Sequence, residues 1–207
     1  MSHTEAQPLL ISGLPGRMAA EVASLAHEAP DMLLLSVGLT SDARHKSRFA
    51  VDTHEIQLIA PDREPVEFPP GTIAVDYSTP DAALGNARRL ITRGIPFVMG
   101  TTGFDAAPLE TLVNDSSVAA VAAPNMAAPN VLLQAALRWL ADEFPGACRD
   151  TTLAVRESHQ QGKRDTSGTA RALVRSFRQL GIDCDERVIE SLRDPDRQHE
   201  ELGVPEA

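Results

Sequence analysis

Between residues 155 and 170 the chain reads VRESHQQGKRDTSGTA, which crowds Glu157, His159, Gln160, Lys163, Ser167, Gly168 and Thr169 into one short stretch. An imidazole exchanges a proton near neutral pH, so His159 can act as an acid or base. Lys163, four residues on, can hold a carboxylate or deliver a second proton. If Ser167 caps a helix starting near Gly168, the N–H groups of Gly168 and Thr169 face outward and form an anion site. The chemistry this suggests is a proton donor beside a carboxylate cradle, with Glu157 as an orienting acid. The competing reading is a polar surface loop leading into a capped helix, and on this stretch alone that is the commoner case.

Three further stretches could hold a ligand. In LLISGLPGRMAAEV, Gly13 and Gly16 fall between an apolar run and a helix, where glycine lets backbone N–H groups approach a phosphate, and Arg17 adds a cation. The full G-x-G-x-x-G fingerprint is absent, so this signal is weak alone. The next stretch, GLTSDARHKSR, carries hydroxyls at Thr40 and Ser41 and bases at Arg44, Lys46 and Arg48, where an NADH-binding site would place an acid. That leans toward NADPH, against an equally weighted reading as a solvated basic loop. Gly100, Thr101 and Thr102 in VMGTTGF, and the following AAPNMAAPN, come directly after apolar runs. Both belong at the carboxyl edge of a sheet, where ligands of doubly wound folds bind; the second also reads as a link between two units.

These residues need a scaffold, and the apolar runs supply one. Runs at 8–12, 32–37, 72–78, 95–100 and 118–123 lack polar alternation, as strands buried on both faces do. Between them, Met18, Val22, Leu25 and Ala29 share a helical face. A second helix starts at Thr79-Pro80, is striped by Leu84, Ala87 and Ile91, and stops at Gly94. The alternation predicts an α/β fold, a Rossmann-type doubly wound parallel sheet. After Pro129 the spacing predicts a helix with Leu133, Leu137 and Leu140 inward and Trp139 in the core. A strand over 151–158 follows, then a helix striped by Ala170, Leu173, Phe177 and Leu180 and closed by Gly181. This gives a nucleotide-binding domain over 1–128 and a smaller α+β substrate domain over 129–207; the polar segment after residue 184 receives no assignment.

Composition narrows the partners. The net charge is −10, which opposes binding to nucleic acid or an anionic membrane and favours a small molecule. Cys148 and Cys184 lack CxxC spacing, so neither a metal site nor a disulfide is expected, and a reduced cytoplasmic setting is. The most apolar tract, 118–141, is interrupted by Pro124, Asn125, Pro129, Asn130 and Gln134 and does not suit a membrane span. The first ten residues match no leader pattern, so the mature chain is expected to start there.

Taken in order, GLPGRMA, DYSTP, GTTGF, APNM and ESHQQGKRDTSGTA resemble the motifs of the dihydrodipicolinate reductase (4-hydroxy-tetrahydrodipicolinate reductase) family of diaminopimelate and lysine biosynthesis. The resemblance runs over essentially the whole chain. It implies hydride transfer from NADPH or NADH to the ring of a dicarboxylate as water is lost. It further implies that Gly13, Gly16, Arg17 and Met18 turn over the cofactor phosphates, and that Gly100, Thr101, Thr102, Ala123, Pro124, Asn125 and Met126 hold the nicotinamide end. His159 is then the general acid/base and Lys163 the second proton donor, with Gln160, Ser167, Gly168 and Thr169 on the substrate.

Departures from the pattern also carry information. Gln160 stands for the family's second histidine, and the residue that usually precedes Ser167, a proline, is missing; both look like the plant-type branch. Ala19 replaces the last glycine of the turn. Family members continue beyond the GVPE segment, whereas this chain stops at Ala207. The substrate domain is therefore expected to be incomplete, as a short form, a fragment, or a chain completed in a homo-oligomer. Two other functions stay open: a silent NAD(P)-binding or regulatory homologue, and a dehydrogenase of the same build acting on another substrate derived from an amino acid.

Overall fold

The apolar runs of the first half assemble into one seven-stranded sheet. A computed structural model describes residues 6–40, 47–60, 67–123, 125–159, 161 and 166–203. The strands are β1 (Gln7–Ser12), β2 (Met32–Leu39), β3 (Arg48–Val51), β4 (His54–Ile59), β5 (Ile73–Asp76), β6 (Phe97–Met99) and β7 (Ala120–Ala122), in the order β3-β4-β2-β1-β5-β6-β7. All neighbours pair in parallel except β3 with β4. The sequence reading did not foresee that hairpin; it left Arg48 equally weighted between a base favouring NADPH and part of a solvated basic loop. Arg48 instead lies in β3 and meets Glu55 at 3.3 Å, both well exposed. The turn is carried by Asp52 at φ 50°, a conformation aspartate tolerates better than most residues.

Side chains of β1 alternate between two cores, which is the physical content of double winding. Leu9 and Ile11 pack with Ala19, Ala23 and Ala26 of α1 (Arg17–Glu28). Leu10 packs on the other face with Ala83, Ala87 and Leu90 of α2 (Pro80–Thr92) and Leu109 of α3 (Ala107–Asn114). The expected stripe on α1 is therefore corrected: Met18 and Leu25 are 52% and 66% exposed, and the alanines face the sheet. Small side chains let the helix backbone approach the strands closely, so packing density outweighs the larger apolar residues. Thr79 and Pro80 do open α2, although the Thr79 side chain makes no cap hydrogen bond.

The chain leaves β1 toward β2 on one side and later returns to lay β5 on the other. Ser12 and Asp76 end up side by side in register at the carboxyl edge. This is the topological switch point, the place where open α/β sheets leave a crevice for ligands.

The chain divides into two compact units, Met1–Ala123 and Pro124–Ala207. The second contains α4 (Ala128–Glu143), β8 (Val155–Ser158), α5 (Gly168–Gln179), a 3-10 turn (Glu186–Val188), β9 (Ile189–Leu192) and α6 (Pro195–Leu202). Strands β8 and β9 pair in parallel, Glu157 beside Ser191. Leu137 and Ala141 of α4 pack on Leu180, but Leu133 is 47% and Trp139 59% exposed, which corrects their placement in the core. Only one side of α4 meets this small core; Trp139 contacts Phe144 edge-on at 6.2 Å between ring centres. The unassigned polar segment forms β9 and α6, in which Asp194 accepts from the Arg197 N–H, Pro195 opens the helix, and Gly203 closes it at φ 66°. Among the described residues no helix is long and apolar enough to cross a membrane.

Candidate active site

In the first unit the candidate residues sit where the strands end. Gly13 follows β1 at φ 103°, and a Cβ there would run into the Tyr77 carbonyl oxygen. The Tyr77 N–H donates to the Ser12 carbonyl at 2.9 Å, and the Gly100 N–H to the Asp76 carbonyl at 2.9 Å. A Cβ on Gly100 would enter the Tyr77 ring, so both glycines are required by the close passage of one tyrosine. Substituting Gly13 with alanine combines backbone strain with a clash against backbone and is expected to destabilise the protein by about 2–4 kcal/mol. A denaturant midpoint checks it.

Gly16 is the N-cap of α1 and offers no side chain, so the N–H groups of Arg17, Met18 and Ala19 are uncapped. With the exposed Arg17 beside them, they form a donor set suited to a phosphate. Thr40 is buried, its N–H bonded to the Ile59 carbonyl. It joins Ser12, Gly13, Ser78, Asn86 and Arg89 around a small cleft at the switch point. Thr101 is buried and Thr102 exposed after β6; the Ala123 N–H reaches the Met99 carbonyl at 3.2 Å. Ser41, Pro124, Gln160 and Lys163 lie outside the described residues.

The second unit gathers its polar residues around Glu157. This carboxylate, 8% exposed at the end of β8, faces His159 Nδ1 through one oxygen. The other oxygen accepts from Ser191 Oγ and Arg193 Nη2, both at 2.6 Å, and from the Ser167 N–H at 3.5 Å. Burial raises the Glu157 pKa, but the hydrogen bonds from Arg193, Ser191 and His159 and the Arg193 charge outweigh it and lower the value to about 2. An ionised carboxylate at Nδ1 keeps a proton there and leaves Nε2 as the exchanging nitrogen. The His159 backbone is held too: its carbonyl accepts from Gln198 Nε2 at 2.8 Å, and its N–H donates to the Leu192 carbonyl at 3.3 Å.

Ser167 is the N-cap residue of α5, yet its side chain makes no cap bond, which corrects the expected side-chain cap. The amides of Gly168 and Thr169 are therefore uncapped at the helix start. Thr169 Oγ1 accepts from Asn125 Nδ2 at 2.8 Å, while Asn125 Oδ1 takes the Ala127 N–H at 2.9 Å. Sequence reasoning assigned no role to Ser12, Asp76, Asn86, Ser191, Arg193 or Gln198. Only the motif residues DYSTP and RDP hinted at two of them.

A family model described as "Dihydrodipicolinate reductase, N-terminus" matches residues 7–126. The probable 4-hydroxy-tetrahydrodipicolinate reductase 2, chloroplastic, of Oryza sativa subsp. japonica is 37% identical over 96% of this chain and 63% of its own length. The chloroplastic 4-hydroxy-tetrahydrodipicolinate reductase 1 of Arabidopsis thaliana is 37% identical over 96% of this chain and 58% of its own. The chain thus spans about six tenths of the length of these relatives. The dipicolinate-bound dihydrodipicolinate reductase from Paenisporosarcina sp. TG-14 shares the fold, with a TM-score of 0.57 at 18% identity over 91% of this chain and 78% of that one. With the family model matched from β1 to Met126 and the plant relatives aligned on through the His159 segment, the chain belongs to the dihydrodipicolinate reductase family.

Proposed function

We propose that the chain carries the NAD(P)H-dependent reduction of 4-hydroxy-tetrahydrodipicolinate to tetrahydrodipicolinate, in diaminopimelate and lysine biosynthesis. One observation carries the reading: a single buried carboxylate, Glu157, touches both the imidazole of His159 and the backbone N–H of Ser167 that opens α5. An acid/base group and an anion cradle therefore share one anchor, as reduction of a ring bearing carboxylates requires.

The uncapped amides of α1 with Arg17 fit a dinucleotide phosphate, and Gly100, Thr101 and Thr102 fit its nicotinamide end with little bulk. The nicotinamide, when bound, supplies hydride. His159 holds or moves a proton at Nε2, because Glu157 occupies Nδ1. The Gly168 and Thr169 amides and the Thr169 hydroxyl bind a substrate carboxylate; Gln160 is a further substrate-binding residue and Lys163 the second proton donor. NADPH is favoured over NADH by the bases that follow Thr40, and a homo-oligomer in the cytoplasm is part of the same proposal. The dicarboxylate class agrees with the dipicolinate named for the Paenisporosarcina reductase.

The test follows NADPH absorbance with enzymatically generated substrate. Substrate-dependent oxidation of NADPH is expected. Cofactor binding without turnover would overturn the assignment in favour of a silent nucleotide-binding homologue.

A further inference from the structure

Asp76 is fully buried at the end of β5. One carboxylate oxygen accepts from Ser12 Oγ at 2.7 Å and Asn86 Nδ2 at 2.9 Å. The other accepts from Thr101 Oγ1 at 2.7 Å, Ser78 Oγ at 2.7 Å and the Ser78 N–H at 3.1 Å. An aspartate that only accepts, with five donors converging, is a satisfied buried anion; removing its charge leaves those donors facing an amide that must itself donate. The donors come from four separate places: the end of β1, the loop after β5, helix α2 and the loop after β6. Ser12 immediately precedes Gly13, and Thr101 immediately follows Gly100. The backbone repeats the link, since the Gly100 N–H bonds the Asp76 carbonyl and the Tyr77 N–H the Ser12 carbonyl.

We propose that Asp76 is a positioning residue that registers the Gly13–Arg17 turn against the Gly100–Thr102 turn, so that the phosphate end and the nicotinamide end of the cofactor meet one preformed surface. This rests on the reading that the two turns hold the cofactor. A hub of this kind predicts that loosening one turn is felt in the other, which separate local anchors would not produce.

Hydrogen exchange on the ligand-free protein tests it through the bonded amides of Gly13, Gly16 and Gly100. In Asp76→Asn all three are expected to exchange about tenfold faster or more, and the Kd for NADPH by calorimetry to rise about tenfold, the size of one lost hydrogen bond to a charged group. The KM for the dicarboxylate should stay within about twofold, since uniform binding of that substrate is untouched. Thr101→Val removes one donor and should speed exchange at Gly13 and Gly16 across the hub, while Thr101→Ser keeps the hydroxyl and should not. The proposal is overturned if Asp76→Asn leaves either turn unchanged, if Thr101→Val loosens only its own turn, or if all seven strands exchange faster alike. Should Asp76→Asn fail to fold, the Thr101 pair decides. If the unaltered protein binds no nicotinamide nucleotide, the functional reading falls, while the exchange results still decide whether the two turns are coupled.

Discussion

Replacing His159 with glutamine is expected to lower turnover by about two to four orders of magnitude while leaving NADPH affinity near its original value. Glutamine fills similar space and can still hydrogen-bond Glu157, but it cannot exchange a proton near neutral pH. The side chain of His159 is one-third exposed, so its loss removes little packing and the fold should persist. The measurement is the rate of NADPH oxidation beside a calorimetric Kd. Unchanged turnover would remove His159 from the chemistry, and an equal loss of rate and affinity would point to misfolding instead.

The second large effect is expected for Glu157→Gln, which should act on both activity and stability. A glutamine amide turned toward Nδ1 donates rather than accepts, so the imidazole must move its proton to Nε2 and lose the favoured tautomer. Turnover should fall by about ten- to thousandfold, because the imidazole no longer presents the tautomer that leaves Nε2 as the exchanging nitrogen. Stability should drop on the order of 3 kcal/mol at neutral pH, since Arg193, only 18% exposed in its side chain, loses the Glu157 carboxylate it pairs with.

The sign of the pH dependence follows from the direction of the Glu157 shift. Its folded pKa, about 2, lies below the ordinary carboxylate value of 4.5. Its stabilisation is therefore complete above about pH 4.5 and is lost as the pH falls from there toward 2. Asp185 and Glu190 are also shifted down, by hydrogen bonds from Arg187 and Arg197, so they add to the loss of stability in acid. The informative quantity is the difference in urea midpoint between the unaltered protein and Glu157→Gln, measured from pH 7 down to about pH 3. That difference should shrink across the acid range; a difference independent of pH would show that the carboxylate charge contributes nothing.

Much of the molecule is readable from local pattern. The five apolar runs became strands because residues buried on both faces of a sheet need no polar alternation, and the glycine turns after β1 and β6 were visible because close backbone passage admits no Cβ. The motif order, from GLPGRMA to SGTA, pointed to the family by itself. The β3–β4 hairpin and the β9–α6 segment escaped notice because their short amphipathic stretches resemble polar loops until a neighbouring strand completes their hydrogen bonds.

What tertiary structure alone decided is which polar residues share an environment. Asp76 meets Ser12 across 64 positions of chain, and Glu157 meets Arg193 across 36. No spacing rule reports such contacts, because parallel strand register and helix packing bring the partners together and burial then makes every unpaired donor costly. Likewise the choice of alanines over Met18 and Leu25 for the α1 interface, and the exposure of Trp139, were set by the distance between packed backbones. Residue types determined what chemistry was available; the fold determined which carboxylate stands beside which proton.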